Sequence, residues 1–310
     1  MIRPFRLEDA DAVAALLHRD DVPQAVTGAG IGHWLTSQPE RAHAAIWVAE
    51  EDGEVAGWVR ARLRWATSAE GVAELWAFVE PGSRRRGLGA ALYDTAYAHL
   101  LDAGGRVLES WTTGEEGGRF LLARGFAATR TQEVLQLALA TADLSGFGEL
   151  LAARETEGYE LLPLAAVSDR PEELHRLDAG ATAAVPTTYA EDDVRLDDWL
   201  VEALRHPQLS HEGSFVVVAA GGTPVAYAFL HVDQAFRLAA NEMTGTHRDH
   251  RRRGLARLAK LGTIAWARDQ GYESILTDND RENTGILHLN RSLGYLPVGT
   301  ETQYLLDDLR

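Results

Sequence analysis

Arg84-Arg85-Arg86-Gly87-Leu88-Gly89 recurs as Arg251-Arg252-Arg253-Gly254-Leu255-Ala256, 167 positions later, with five of the six residues identical. A strand-like run precedes each copy (residues 72–79 and 238–246), and a helical run follows (90–103 and 257–270). Strand, short basic glycine loop and helix together describe an anion site. Glycine lets the backbone approach a phosphate closely, and the free N–H groups of the first helical turn point at it with the macrodipole behind them. The arginines add cations able to pair bidentately with phosphate oxygens. A second pair of landmarks, Arg124-Gly125-Phe126 and Leu293-Gly294-Tyr295, is offset by 169. Two anchors at nearly one offset point to a duplicated domain, and 310 residues suit two cores of roughly 150 each.

The composition is that of an ordinary globular chain, 45% hydrophobic and 25% charged. No cysteine is present, which excludes disulfides, thiolate metal sites and a cysteine nucleophile. The first residues lack an apolar signal core and no run reaches membrane-spanning length, so a cytoplasmic protein with no membrane partner is expected. A formal net charge of −16 argues against a nucleic-acid partner and favours cationic small molecules or amines. Against that acidic total, three consecutive arginines in each half stand out.

Along the chain, apolar spacing predicts a strand over 2–6, a helix over 8–18 and a poorer helix within 30–36. Alternating runs at 45–50 and 55–65 flank Glu51-Asp52-Gly53, a hairpin signal. After the first basic loop and its helix come a strand (107–111), a short helix near 116–123 and strands through 126–139. Residues 140–158 lose periodicity. The second half repeats the order: strand 159–164, helices 171–184 and 193–205, a hairpin about Ala220-Gly221-Gly222, strand, basic loop, helix, strand 275–278, helix 282–292 and closing strands 295–306. Each half therefore reads β-α-α-β-β-β-α-β-α-β, a mixed sheet with helices on both faces. The expected domains are 1–142 and 159–310, joined by a linker over 143–158.

The strings from Val79 to Gly89 and from Thr246 to Ala256 resemble the acetyl-CoA signature of the GNAT N-acetyltransferases: glutamine or arginine, two residues, glycine, one residue, then glycine or alanine. The resemblance covers essentially the whole chain outside the linker. It implies an α/β (α+β) fold of two tandem domains, each a mixed, mostly antiparallel sheet flanked by helices. It also implies that loop amides hold the coenzyme pyrophosphate, at Arg84, Arg85, Arg86, Gly87, Leu88, Gly89 and Ala90 and at Arg251, Arg252, Arg253, Gly254, Leu255, Ala256 and Arg257. The strand before each loop would pair with pantetheine, at Ala77, Phe78 and Val79 and at Gly245 and Thr246. Such enzymes attack the thioester directly with an amine, so a base is needed and no metal.

Beyond the loops the halves differ. Thr277-Asp278-Asn279-Asp280-Arg281-Glu282-Asn283 and then Asn290 resemble the asparagine-bearing strand and helix of the second domain of mycothiol synthase-like tandem enzymes, implying coenzyme contacts for Asn279, Asn283 and Asn290. Many relatives carry a tyrosine acid where Asn290 stands, which leaves the departing thiolate to be protonated by solvent or by the ammonium intermediate. In the first half Gly114 and Leu121 fall where Asn283 and Asn290 would. The C-terminal domain is thus the expected catalyst, and the N-terminal one binds coenzyme or supports the fold.

Glu242, four residues before Thr246, is the candidate base, against a solvated or ion-paired strand glutamate. Glu74 is the first-half candidate, out of step by one residue and facing the other way. His247 and His250 beside the loop read as solvating it or binding phosphate. His288, Trp76, Phe78, Trp266 and Tyr295 read as packing residues. The expected activity is acetyl-CoA-dependent N-acetyl transfer to a small-molecule amine by a monomer or homodimer. The alternatives are acetylation of a thiol-precursor amine, as in mycothiol synthesis, and a non-catalytic acyl-CoA-binding or sensor protein. No glycine-rich stretch ends in the Gly-Lys-Ser/Thr of a nucleotide-phosphate loop.

Overall fold

The computed structural model describes every residue except Asp20, Asp21, Glu191 and Asp193. The elements follow the order β1 (Ile2–Pro4), α1 (Ala10–Leu17), α2 (Gly28–Ser37), β2 (Ala45–Glu51), β3 (Glu54–Leu63), β4 (Val72–Val79), α3 (Leu88–Asp102), β5 (Val107–Thr112), α4 (Glu115–Leu122), β6 (Ala127–Ala138) and α5 (Phe147–Thr156). The second half continues with β7 (Glu160–Pro163), α6 (Pro171–Thr182), α7 (Leu196–Trp199), β8 (Phe215–Val218), β9 (Pro224–Asp233), β10 (Leu238–Thr246), α8 (Leu255–Asp269), β11 (Ser274–Asp280), α9 (Thr284–Ser292) and β12 (Leu296–Asp307). No helix of the described residues is long and apolar enough to cross a membrane.

Two compact units result, and neither is contiguous in sequence. The first comprises residues 1–133, 189–192 and 299–310; the second comprises 134–188 and 193–298. Within the first, neighbouring strands run β1, β2, β3, β4, β5, β12. The last strand of the chain thus closes the first unit's sheet, with Thr302–Asp307 antiparallel to Thr112–Val107. In the second unit the order is β6, β11, β10, β9, β8, β7. β4–β5 and β10–β11 pair in parallel, whereas β1–β2, β2–β3, β3–β4 and β5–β12 in the first sheet and β7–β8, β8–β9 and β9–β10 in the second pair antiparallel, so both sheets are mixed and mostly antiparallel.

The period-2 alternation of the strands sorts side chains between two helical layers. In the first unit Val59, Ala61, Ala73, Leu75 and Leu108 pack under Leu92, Ala96 and Leu100 of α3. Ile46, Val48, Trp58, Trp76 and Phe78 face Val13, Leu16 and Leu17 of α1 and Ile31 of α2. The second unit repeats the arrangement. Ala226 and Ala228 lie against Leu255, Leu258 and Ala259 of α8, while Tyr227 and Phe229 face Leu174 and Leu177 of α6 and Trp199 of α7.

Two stretches depart from the sequence expectations. Within the segment read as aperiodic, α5 forms because Phe147, Leu150 and Leu151 fall at i, i+3 and i+4 and pack beside the Leu255–Ala259 cluster. The helix expected over 193–205 begins at Leu196 and passes into a π-helical turn over Leu200–Leu204; its expected first residue, Asp193, lies outside the described residues.

Candidate coenzyme and acyl-transfer sites

The two basic loops have one backbone. Arg84 and Arg251 are extended, at φ/ψ of −65/160 and −64/159. Arg85 and Arg252 are left-handed (φ 64 and 62), as are Gly87 and Gly254 (φ 87 and 75). A left-handed conformation is unfavourable for arginine, and its presence in both copies marks a loop whose shape is held by its surroundings. The same tether fixes each: Arg84 Nε donates to the Val79 carbonyl (2.9 Å) and Arg251 Nε to that of Thr246 (3.2 Å). The helices that follow, each 15 residues, start at Leu88 and Leu255 with no side-chain cap. Their uncapped first-turn N–H groups follow directly on the left-handed turn, the backbone arrangement from which a phosphate accepts hydrogen bonds.

The strand before each loop leaves its parallel neighbour early. β4 pairs with β5 only at Val72, Ala73 and Glu74, and β10 with β11 only at Leu238, Ala239 and Ala240. Beyond those positions Ala77, Phe78 and Val79, and likewise Gly245 and Thr246, have an edge open on that side, as a pantetheine amide would require. Gly245 has a further reason to lack a side chain, because a Cβ there would stand 2.4 Å from Ala181 Cβ and 2.6 Å from the Tyr227 ring. Loops and open edges therefore fit a pyrophosphate-bearing coenzyme in both units.

The acidic residues come next. β10 shifts register between Asn241 and Thr244, whereas β4 pairs with β3 without interruption. Glu242 keeps the α6/α7 face of Ala240, the partner of His231, and the bulge resets the alternation between Glu242 and the loop. Glu74, expected to point the other way from Glu242, instead occupies the corresponding face of its own sheet, since the extra residue cancels the one-residue mismatch. Glu74 is ion-paired to Arg62 at 2.8 Å. Burial opposes its charge, but Arg62 and then Arg60 outweigh that and hold its pKa below the usual carboxylate value. Glu242 lies 3.3 Å from His231 Nδ1, with about half of its side chain exposed (49%). Burial again works against ionisation, and His231, then His206, more than offset it, so its pKa is lowered. The two histidine rings stack at 4.3 Å and 8°. Asp278 and Glu242 each stand two residues beyond the last paired positions, Leu276 and Ala240. Desolvation and then repulsion from Glu242 push Asp278 up to about 6.

A buried polar chain lies behind this face in the second unit. The Tyr295 hydroxyl donates to Asn241 Oδ1 (2.8 Å), and Thr277 Oγ1 donates to the Asn241 carbonyl (3.3 Å). Lys260, 1% exposed, places its ammonium 5.0 Å from the Tyr295 ring centroid, and burial pulls its pKa down to about 7. Asn290 Nδ2 donates to Asn279 Oδ1 (2.6 Å). Asn290 Oδ1 and Asn241 Nδ2 are buried with no partner among the described residues. Unsatisfied buried amides are costly and call for a reason beyond stability.

Asn279 and Asn290 are thus brought together, but Asn283 is not part of the pair: it caps α9, its Oδ1 accepting from Ile286 N at 3.5 Å. His250 bonds the Tyr159 hydroxyl (2.9 Å), and Arg253 also donates to that hydroxyl (3.1 Å), so this histidine belongs to the loop's support. His288, read as packing, is exposed. His206, His231, Asp278, Lys260 and Asn241 escape sequence reasoning. The alternation Tyr227, Phe229, His231 along β9 places His231 on the face of α6 and α7, but the bulge that sets the phase of Glu242 relative to the loop has no sequence signature.

A profile of the Acetyltransferase (GNAT) family matches residues 17–126 and again 174–295. The mycothiol acetyltransferase of Rhodococcus opacus is 29% identical over 234 residues, covering 73% of this chain and 72% of that protein. The mycothiol acetyltransferase of Saccharomonospora viridis is 26% identical over 258 residues, 81% of this chain and 79% of the relative. Among solved structures, a tandem GNAT protein from the clavulanic acid biosynthesis pathway superposes with a TM-score of 0.75 at 20% identity, covering 99% of this chain and 98% of its own. With both halves matched by the same profile and both carrying the same coenzyme loop, the chain belongs to the GNAT acetyltransferase family as a tandem-domain member.

Proposed function

We propose that the protein is an acetyl-CoA-dependent N-acetyltransferase acting on a small-molecule amine, with the reaction in the second unit. The observation that carries this reading is the Glu242–His231–His206 group beside the open edge of β10, backed by a buried polar chain whose Asn241, Lys260, Asn290 and Tyr295 have apolar or aromatic counterparts in the first unit. The duplication in sequence is read as 1–142 and 159–310 with 143–158 between them, while in the fold residues 299–310 complete the first unit and α5 packs in the second. Acetyl-CoA supplies the acyl group as an activated thioester. Arg251, Arg252, Arg253, Gly254, Leu255, Ala256 and Arg257 would hold its pyrophosphate, Gly245 and Thr246 its pantetheine arm, and Asn279 with Asn290 would orient it.

Held below its ordinary pKa, Glu242 is ionised at neutral pH and can accept the proton of an incoming ammonium. It gives up that proton to water through its exposed half. Glu242 and Asp278 together place negative charge where a cationic acceptor enters. The similarity to mycothiol acetyltransferases favours the amine of a thiol precursor as acceptor. The decisive experiment measures release of free coenzyme thiol from acetyl-CoA with a panel of amines, alongside acetyl-CoA calorimetry. Amine-stimulated release that Glu242→Gln abolishes without loss of acetyl-CoA binding supports the assignment. Tight binding with no stimulation by any amine would favour the acyl-CoA-binding sensor instead.

A further inference from the structure

The face of the first unit that corresponds to the one carrying Glu242 has a different chemistry. Arg60 and Arg62 of β3 and Glu74 and Trp76 of β4 project toward α2 by strand alternation. Arg62 pairs with Glu74 and donates to Gln38 Oε1 at 2.7 Å, and Arg64 pairs with buried Glu109 at 3.1 Å. Arg60 is different. Its guanidinium carbon stands 4.9 Å from the Trp34 ring centroid and 4.7 Å from that of Trp76. It makes no ion pair or side-chain hydrogen bond with any described residue, and its Nε is buried without an acceptor. Glu74 and Glu301 act on it only through longer-range attraction.

An unpaired cation withdrawn from water is costly, and two indole faces offset only part of that cost. What they leave unsatisfied is the guanidinium edge, a planar fork of N–H donors matched to a carboxylate. Arg60, Trp34 and Trp76 are each only partly buried, so the edge is within reach of a solute. The local charge selects among anions. With Arg62 and Arg64 already paired, one positive charge is free, and a doubly charged phosphate would also meet Glu74. We propose that the first unit binds a small aromatic carboxylate, its carboxylate on the edge of Arg60 and its ring beside Trp34 and Trp76. The site lies wholly within the first unit and does not depend on acyl transfer in the second.

The test uses the full chain and three probes: phenylacetate, its neutral amide phenylacetamide, and phenyl phosphate. Binding is read by calorimetry and by indole N–H shifts assigned with Trp34→Phe and Trp76→Phe. Phenylacetate is expected to shift both indoles saturably and to bind more tightly than either other probe. In Arg60→Gln its Kd is expected to rise at least about tenfold, with Arg60→Lys intermediate. Should Arg60→Gln fail to fold, Arg60→Lys and the acid-versus-amide contrast in the wild type still decide the matter. Equal binding of acid and amide, an unchanged Kd in a folded Arg60 variant, or no binding of phenylacetate overturns the proposal and leaves Arg60 a packing residue. Tighter binding of phenyl phosphate overturns the carboxylate assignment.

Discussion

The two halves keep the same loop and exchange almost everything around it. Arg85 and Arg252 share a left-handed backbone, and both helices begin uncapped at the same point. Counting from that helix start, Tyr93 stands where Lys260 does. Counting from the caps of α4 and α9, Leu121 matches Asn290 and Phe126 matches Tyr295. The backbone bonds from Glu80 to Ala56 and from His247 to Val225 align the hairpins, pairing Arg60 with Phe229 and Arg62 with His231. The strand registers then place Leu75 opposite Asn241. Thus Asn241, Lys260, Asn290 and Tyr295 of one unit's polar chain are replaced by apolar or aromatic residues in the other, and a carboxylate held by a permanent cation (Glu74–Arg62) has its counterpart in one held by a titratable ring (Glu242–His231). A backbone nest needs only a chain conformation, so its shape survives duplication. Acid–base chemistry needs side chains of tuned charge, and there the units have parted.

Substituting the two carboxylates tests that division most severely. Glu242→Gln is expected to lower kcat by roughly 10²–10⁴-fold, the range for loss of a general base. Glu74→Gln should leave kcat within about twofold and show its effect in stability, because Arg62 loses its ion-pair partner. Equal losses from both would break the comparison and make both units catalytic. The loops come next. A glutamate at Gly254 puts a side chain into a left-handed position and a negative charge beside the phosphate nest. Gly254→Glu should weaken acetyl-CoA binding about 100-fold by calorimetry. Gly87→Glu should remove a second binding event if the first unit also holds coenzyme, and otherwise change nothing in the titration.

The fold was largely legible because duplication writes itself twice. The repeated hexapeptide, Gly125 and Gly294 at matching left-handed positions, and period-2 runs around turn residues give element order without structure. The destination of β12 was not legible. Its alternation says that it is a strand, but pairing with β5 is a long-range choice that local spacing does not encode. The candidate site divides in the same way. Backbone-defined parts, such as Gly87, Gly254 and Gly245, could be found from glycine placement. Glu242 was found by its distance from the loop, yet its phase relative to the loop depended on the bulge at Asn241–Thr244. Asn283 matched the resemblance and is used as a helix cap, since asparagine serves both ends equally well.

The Lys260/Tyr93 exchange offers a stability test. Burial lowers the Lys260 pKa from 10.5 to about 7. A lysine depressed in the folded state penalises folding fully below its folded pKa, and the penalty fades as pH rises from about 7 toward its unfolded value. Lys260→Met should therefore stabilise the chain by about 2 kcal/mol at pH 6, after allowance for relaxation around the buried amine. The gain should shrink at pH 9, as measured by urea unfolding at both pH values. The reverse change, Tyr93→Lys in the first unit, should destabilise more at pH 6 than at pH 9. A pH-independent effect in both would mean that Lys260 is paired in solution and that the polar chain is an ordinary satisfied network.

The finest test concerns His231, because it asks how the second unit tunes its carboxylate. Burial raises the Glu242 pKa, while His231, through its charge and hydrogen bond, and then His206 bring it below the ordinary value. The base works only when ionised, so activity is present above that pKa and falls as pH drops through it. Removing the imidazole in His231→Gln leaves desolvation unopposed by its main counterweight, and the acid limb of kcat/KM should move upward by up to about one pH unit. Asp278→Asn should leave it in place, since Asp278, pushed up to about 6, is already protonated where Glu242 titrates. Arg62→Gln, the matching change in the first unit, should leave the limb in place. An upward shift in His231→Gln, absent from the other two variants, is difficult to obtain from a purely structural role, because misfolding would lower the plateau without moving the midpoint. A limb that ignores His231→Gln would remove Glu242 as the titrating base and pass that role to a group outside the bulge.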